Sequence, residues 1–337
     1  MSSKFLPLPT ELLTQIFALT ATSDSGVTLR SLLRVSRLFH DICVPLKFHC
    51  VTLTSSLDIQ HFHRELEHLE HAPVHLRRIF HLFISLNPSD IDTDTECDAM
   101  TKIFLILHTA ADTLQSLTFI CHNPLFSTSV FGRLFRQSFP VLTELTIHGF
   151  YPFPNTIPSR EYSSPGLPSR EVGTSYMPML ERLHLSGNRN PYGLLQLSSL
   201  DECFPSLTHL RVSGLLMAGS FVEEMKGALE EHSALLSEDH ITTPPKLPAR
   251  LPSLLQSLIL QPGFIIFPER SNAASSISKK HLRMMERLKE IDDEAAKCRQ
   301  GIRVTLKNCM HDPGAVGIGS ELHSDWLSRM NGAEGCW

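Results

Sequence analysis

Phe139-Pro-Val-Leu-Thr-Glu-Leu-Thr-Ile-His-Gly149 and Phe204-Pro-Ser-Leu-Thr-His-Leu-Arg-Val-Ser-Gly214 are one phrase written twice. Looser copies are Thr113-Leu-Gln-Ser-Leu-Thr-Phe119, Met179-Leu-Glu-Arg-Leu-His-Leu-Ser-Gly-Asn188 and Leu254-Leu-Gln-Ser-Leu-Ile-Leu260. All five obey Leu-x-x-Leu-x-apolar. In an extended chain successive side chains alternate between faces, so the second and third apolar positions point to one side and their neighbours to the other. A short strand of this kind cannot bury its apolar side alone. Recurring copies bury it by stacking.

Weaker strands are expected over Arg77–Leu86 and Gly301–Leu306. Between the strands the apolar spacing turns helical. One face is Met100, Ile103, Phe104, Leu107 and Ala111; the next is Val130, Phe131, Leu134 and Phe135. Leu194, Leu197 and Leu200 mark another, and Phe221, Met225 and Leu229 a fourth. The longest helix is expected from Lys279 to Gln300, with Leu282, Met285, Leu288, Ile291, Ala295 and Cys298 inward. Strand, helix, next strand is a connection that produces parallel pairing, with helices on one face of the sheet. The pattern is that of a leucine-rich repeat, and the third copy carries the Asn of its extension. Steps of 28 residues (Leu114 to Leu142) and 27 (Leu180 to Leu207) fit such repeats, whereas Leu142–Leu180 and Leu207–Leu255 are longer. The excess falls in insertions near 152–176, 238–252 and 261–278. The first holds Pro-Ser-Arg-Glu twice, at Pro158 and Pro168, and reads as a loop duplication; the second has four prolines.

The first fifty residues follow another rule. Leu8-Pro-Thr-Glu-Leu-Leu-Thr-Gln-Ile-Phe17 pairs Leu12 with Ile16 and Leu13 with Phe17 at i,i+4, with Pro9 at a helix start. After a polar break, Leu32, Val35, Phe39 and Ile42 form a second helical stripe. Two short helices with more apolar residues than one stripe needs are expected to meet a partner surface. Leu-Pro-x-Glu-Leu-Leu-x-x-Ile-Phe followed by Leu-x-Val-Ser-Arg-x-Phe resembles the F-box, which docks substrate receptors onto the Skp adaptor of cullin–RING ubiquitin ligases. Phe39 stands where the family often has Trp, and the connection from Thr20 to Arg30 is longer than usual.

The chain as a whole resembles fungal F-box proteins with irregular leucine-rich repeats. The resemblance implies an α/β fold class. A helical F-box-like hairpin over 1–50 precedes a leucine-rich-repeat solenoid of parallel strands and helices over 51–337. It also implies a substrate receptor, with Leu8, Pro9, Leu12, Ile16, Phe17, Val35 and Phe39 meeting the Skp adaptor, a cullin scaffold beyond it, and an unknown protein substrate on the repeats. The alternative is an interaction scaffold outside any ligase.

The composition excludes several other classes. The 337 residues are 42% hydrophobic and 19% charged, with a net charge of −5. A slightly acidic balance without clustered Lys and Arg gives no nucleic-acid footprint, and no apolar run of spanning length implies a membrane. Met1-Ser-Ser-Lys leads into Leu-Pro-Leu-Pro without the apolar core of a leader peptide. Eight scattered cysteines, none in C-x-x-C, read as reduced, mostly buried thiols in a cytoplasmic or nuclear protein.

Nucleophile, Walker and dinucleotide motifs are missing, and Gly314–Gly319 reads as a loop, so the chain reads as non-enzymatic with no cofactor. The helix expected over Leu57–His71 carries His61, His63, His68 and His71 among Glu65, Glu67 and Glu70. Its spacing fits a solvated face better than a metal site.

Two expectations concern surfaces. Stacking the copies aligns Thr118, Thr146, His184, Arg211 and Ile259 in one row and Ser116, Glu144, Arg182, His209 and Ser257 in the row before it. Arg182, His184, His209 and Arg211 then form a basic patch on the face away from the helices, suited to an acidic or phosphorylated target. A short helix over Ser320–Asn331 is expected to cap the last repeat through Trp326.

Overall fold

A computed structural model describes residues 8–86, 93–154, 175–198, 200–236, 249–264, 272–297, 301–310, 314–335 and 337. Eight strands are hydrogen-bonded in chain order. They are β1 (Cys50–Leu53), β2 (His81–Leu86), β3 (Ser116–Cys121), β4 (Glu144–His148), β5 (Arg182–Ser186), β6 (His209–Leu215), β7 (Ser257–Pro262) and β8 (Arg303–Leu306). The pairs β1–β2, β4–β5, β5–β6, β6–β7 and β7–β8 are parallel. The fold is α/β, as the alternation of strand and helix patterns requires. The chain divides into two compact units, 1–120 with 315–336 and 121–314 with 337.

The first unit opens with three helices where the sequence shows two. They are α1 (Thr10–Ser23), α2 (Val27–Leu32) and α3 (Arg37–Cys43). The polar break stays helical to Ser23, with its hydroxyls bonded back along the helix. Thr20 Oγ1 donates to Phe17 O at 2.8 Å and Thr22 Oγ1 to Leu19 O at 3.0 Å. Ser36 caps α3, its Oγ accepting from Phe39 N at 3.2 Å. Phe17, Ala21, Leu29, Ile42, Cys43 and Leu46 form the small core of these helices.

Helix α4 (Ser56–His68) begins at a second serine cap, Ser55, and buries Ile59, Phe62 and Leu66. Its His61 and His68 are exposed, and His63 Nδ1 lies 3.5 Å from Glu67. Helix α5 (Thr93–Ala110) packs beside it.

In the second unit α6 (Pro124–Leu134), α7 (Leu194–Leu197), α8 (Leu200–Cys203), α9 (Gly219–Leu236) and α10 (Asn272–Lys297) connect the strands. Leu145, Ile147, Leu183, Leu185, Leu210, Val212, Leu258 and Leu260 are buried, as the repeated phrase demands. Its other letters have reasons too. Phe139 and Phe204 are buried at the strand entries. The closing Gly149 and Gly187 have φ of +143° and +109°, and a Cβ there would lie 2.3 Å from Cys121 O and 2.4 Å from Gly149 O. Asn188 exchanges hydrogen bonds with the backbone of Tyr151, donating to its O at 3.0 Å and accepting from its N at 3.3 Å. A buried glutamate, Glu224 of α9, receives the N–H groups of Gly193, Leu195 and Gln196 and so caps α7.

Three expectations need correction. Leu282 is exposed on α10, and Met284 with Leu288 and Ile291 faces inward instead; one residue of slippage moves a side chain by 100° on a helix. The insertion near 261–278 is shorter than expected, because β7 extends to Pro262 and α10 starts at Asn272. Gly314–Gly319 is the start of helix α11 (Gly314–Met330), whose Ile318 packs on a buried cluster, so tertiary burial overrides the weak helix propensity of glycine. Most of the insertions near 152–176 and 238–252 lies outside the described residues.

Candidate interaction surfaces

The seven residues expected to meet an adaptor divide into two sets. Leu8, Pro9, Leu12, Ile16 and Val35 are exposed, Leu12 and Ile16 at 45% and Val35 at 64%. Phe17 is buried at 4%, and Phe39 is half-buried against it, with ring centroids 4.9 Å apart in an edge-to-face contact. These two therefore hold α1 against α3 and support the surface without forming it. Leu19, Val27 and Leu38 are also exposed, extending the apolar side chains on these helices. Their signal in the sequence was the surplus of apolar residues around each helix, which a single stripe cannot absorb.

The row predicted across the repeats is present. Glu144 pairs with Arg182, Arg182 with His209 and His209 with Ser257; the next row runs Thr146, His184, Arg211, Ile259. Arg182, His184, His209 and Arg211 are thus brought together on β5 and β6. They do not all line a solvent-facing patch. His184 and Arg211 are 1% and 4% exposed, while Arg182 and His209 are half-buried. Buried charge needs partners, and the neighbouring strands supply some of them. Arg211 donates to Gln261 Oε1 at 2.6 Å, and Arg182 lies 3.9 Å from Glu144 Oε2. His184 Nε2 and Ser213 Oγ are 2.6 Å apart. Desolvation, then the charge of Arg211, holds the His184 ring well below its usual pKa, so it is neutral.

Trp337 explains part of this burial. Its indole N–H donates to Glu144 Oε1 at 3.1 Å, and its ring meets His184 and His209 edgewise at 6.3 and 6.2 Å. Sequence reading missed it, since a lone aromatic carries no period.

Trp326 is also placed differently from expectation. It does not cap the last repeat. It is buried with Cys50, Phe83, Ile120 and Leu322 on the first three strands, 5.5 Å from the Phe83 ring, and its indole donates to Ser116 Oγ at 3.3 Å. The physical reason is that Phe83 and Ile120 are large apolar groups on the face away from the helices, and water-exposed they would be costly. No family model, characterised protein or solved structure matches the chain. Among the described residues no helix is long and apolar enough to cross a membrane.

Proposed function

We propose that this chain is the substrate receptor of a Skp–cullin–F-box ubiquitin ligase. The observation that carries the reading is the set of apolar side chains left outward on and beside α1 to α3. Leu8, Leu12, Ile16, Leu19, Val35 and Leu38 are all exposed although a buried core lies directly beneath them. A cluster of this kind on small helices gains most by docking, since interface energy concentrates in a few apolar anchors. The F-box-like spelling of the same helices names the partner as the Skp adaptor. The parallel repeat sheet then holds a protein target, and ubiquitin transfer belongs to other subunits. The test uses the full chain carrying Leu12→Glu and Ile16→Glu. Both sites are exposed, so the circular dichroism spectrum should stay as in the wild type while co-purified Skp adaptor and cullin fall at least tenfold. Adaptor recovery equal to wild type overturns the reading and leaves a repeat scaffold outside any ligase.

A further inference from the structure

Strand β1 has β2 on one side and, among the described residues, no strand on the other. In a parallel pair, backbone groups alternate between the two sides. His49 O accepts from Phe80 N and His81 N at 3.1 and 2.9 Å, which turns His49, Val51 and Leu53 toward β2 and Cys50, Thr52 and Thr54 outward. Thr54 N–H is taken by Asp58 Oδ2 at 3.1 Å. Thr52 is left at mid-edge, and its buried Oγ1 has no partner among the described residues.

This edge lines a cavity of about 550 Å³ that reaches from Ser25 and Arg30 to α4. Phe48 and Phe62 give it an apolar wall, their rings 5.5 Å apart. Arg30, Lys47 and Arg64 stand around it with two carboxylates, and both carboxylates are engaged. Asp58 holds Thr54, and Glu65 pairs with Lys47. Asp58 keeps its negative charge, so with Arg30 and Arg64, all three exposed, the rim is left with one net positive charge.

We propose that the open edge of β1 is a docking groove for an extended acidic segment of a protein partner. The segment adds a strand beside β1 and sets its carboxylates against Arg30 and Arg64. Strand addition is what an unpaired edge offers, and here the outward backbone groups of Thr52 are the anchor for it. The edge is short, so backbone bonds alone bind weakly and the rim charges choose the partner. In a chain of net charge −5 this locally cationic site is where an acidic segment gains rather than loses on approach. None of this depends on the adaptor reading.

The experiment measures anisotropy of a fluorescein-labelled decapeptide of alternating Glu and Val added to the full chain. An alternating Lys–Val peptide is the control, and inorganic phosphate the competitor. The acidic peptide should bind and the basic one should not. Arg64→Glu and Thr52→Pro should each weaken binding at least tenfold. Proline at position 52 removes an outward N–H without breaking a bond to β2, a place edge strands tolerate it. N-methylation of alternate peptide residues leaves the protein untouched and should abolish binding, which covers the case of a misfolded proline variant. Absence of binding overturns the proposal. So does binding indifferent to N-methylation, which would be plain charge adhesion, or displacement by millimolar phosphate, which would mark a small-anion site.

Discussion

The first three strands and the next three present the same helix-covered face but opposite second faces. On β1 to β3 the residues turned from the helices include Cys50, Phe83 and Ile120, and α11 lays Leu322 and Trp326 on them. On β4 to β6 the equivalent residues are Glu144, Thr146 and His148, then Arg182, His184 and Ser186, then His209, Arg211 and Ser213. Here the covering is a polar network bonded from strand to strand, with Trp337 laid over it. The difference teaches that a repeat's invariant letters fix one face only. The letters between them decide whether a further layer is added by apolar burial, which stabilises at about 25 cal/mol per Å². Polar satisfaction, by contrast, adds little net energy but fixes geometry.

Breaking the apolar side should cost most. Trp326→Ala removes a side chain 3% exposed and its hydrogen bond to Ser116, so a loss of about 3–5 kcal/mol is expected, the range for buried aromatics cut to Ala. Urea unfolding followed by circular dichroism measures it. A loss under about 1 kcal/mol would mean that α11 does not hold this face and would end the comparison.

Much of this was legible beforehand. The repeated phrases placed β4, β5 and β6 and their closing glycines: at Gly149 and Gly187 a positive φ and a carbonyl 2.3–2.4 Å from any Cβ admit little else, and Gly214 is favoured by its φ of +80°. The outward apolar set on α1 and α3 was legible from surplus hydrophobicity. The seat of α11 was not. Periodicity says that Leu322 and Trp326 share an apolar face, but Trp326 finds its partner at Phe83, far back in the sequence. Phe83 and Ile120, large apolar residues on the face away from the helices, were a written hint. Arg211 and His184 misled for the opposite reason. Charged letters imply solvent unless a neighbouring strand supplies partners, and Ser213 and Gln261 do so through tertiary register alone.

Acid should sharpen the comparison through the histidines of both faces. His81 lies under α11 beside Ser116, with Nδ1 3.0 Å from its Oγ; burial and then His49 push its pKa down to about 4. His148, beside Ser186, is pushed to about 4 by burial and then His122. Both rings fold neutral, while the unfolded chain binds protons near pH 6.5. Between those values unfolding takes up protons, so stability is complete above about pH 7 and falls as pH drops from 6.5 toward 4. The urea midpoint should decline steadily over that window. His148→Asn should flatten the decline from one face and His81→Asn from the other. A midpoint constant from pH 7 to 4.5 would show that these rings are not buried neutral.

The smallest effect belongs to Trp337. Its ring is half-buried, and its indole N–H donates to a carboxylate that Arg182 also faces. Trp337→Phe keeps the aromatic cover and deletes only the donor. The expected cost is about 0.5–1.5 kcal/mol, the net worth of an ordinary hydrogen bond, because Glu144 retains Arg182 and is not orphaned. Trp337→Ala should cost little more, since the network beneath is closed by Ser213 and Gln261 rather than by the indole. The same urea titration reads both variants, and tryptophan emission then reports Trp326 alone. If Trp337→Ala proves as damaging as Trp326→Ala, the polar face depends on its aromatic cover as the apolar face does, and the two halves obey one rule rather than two.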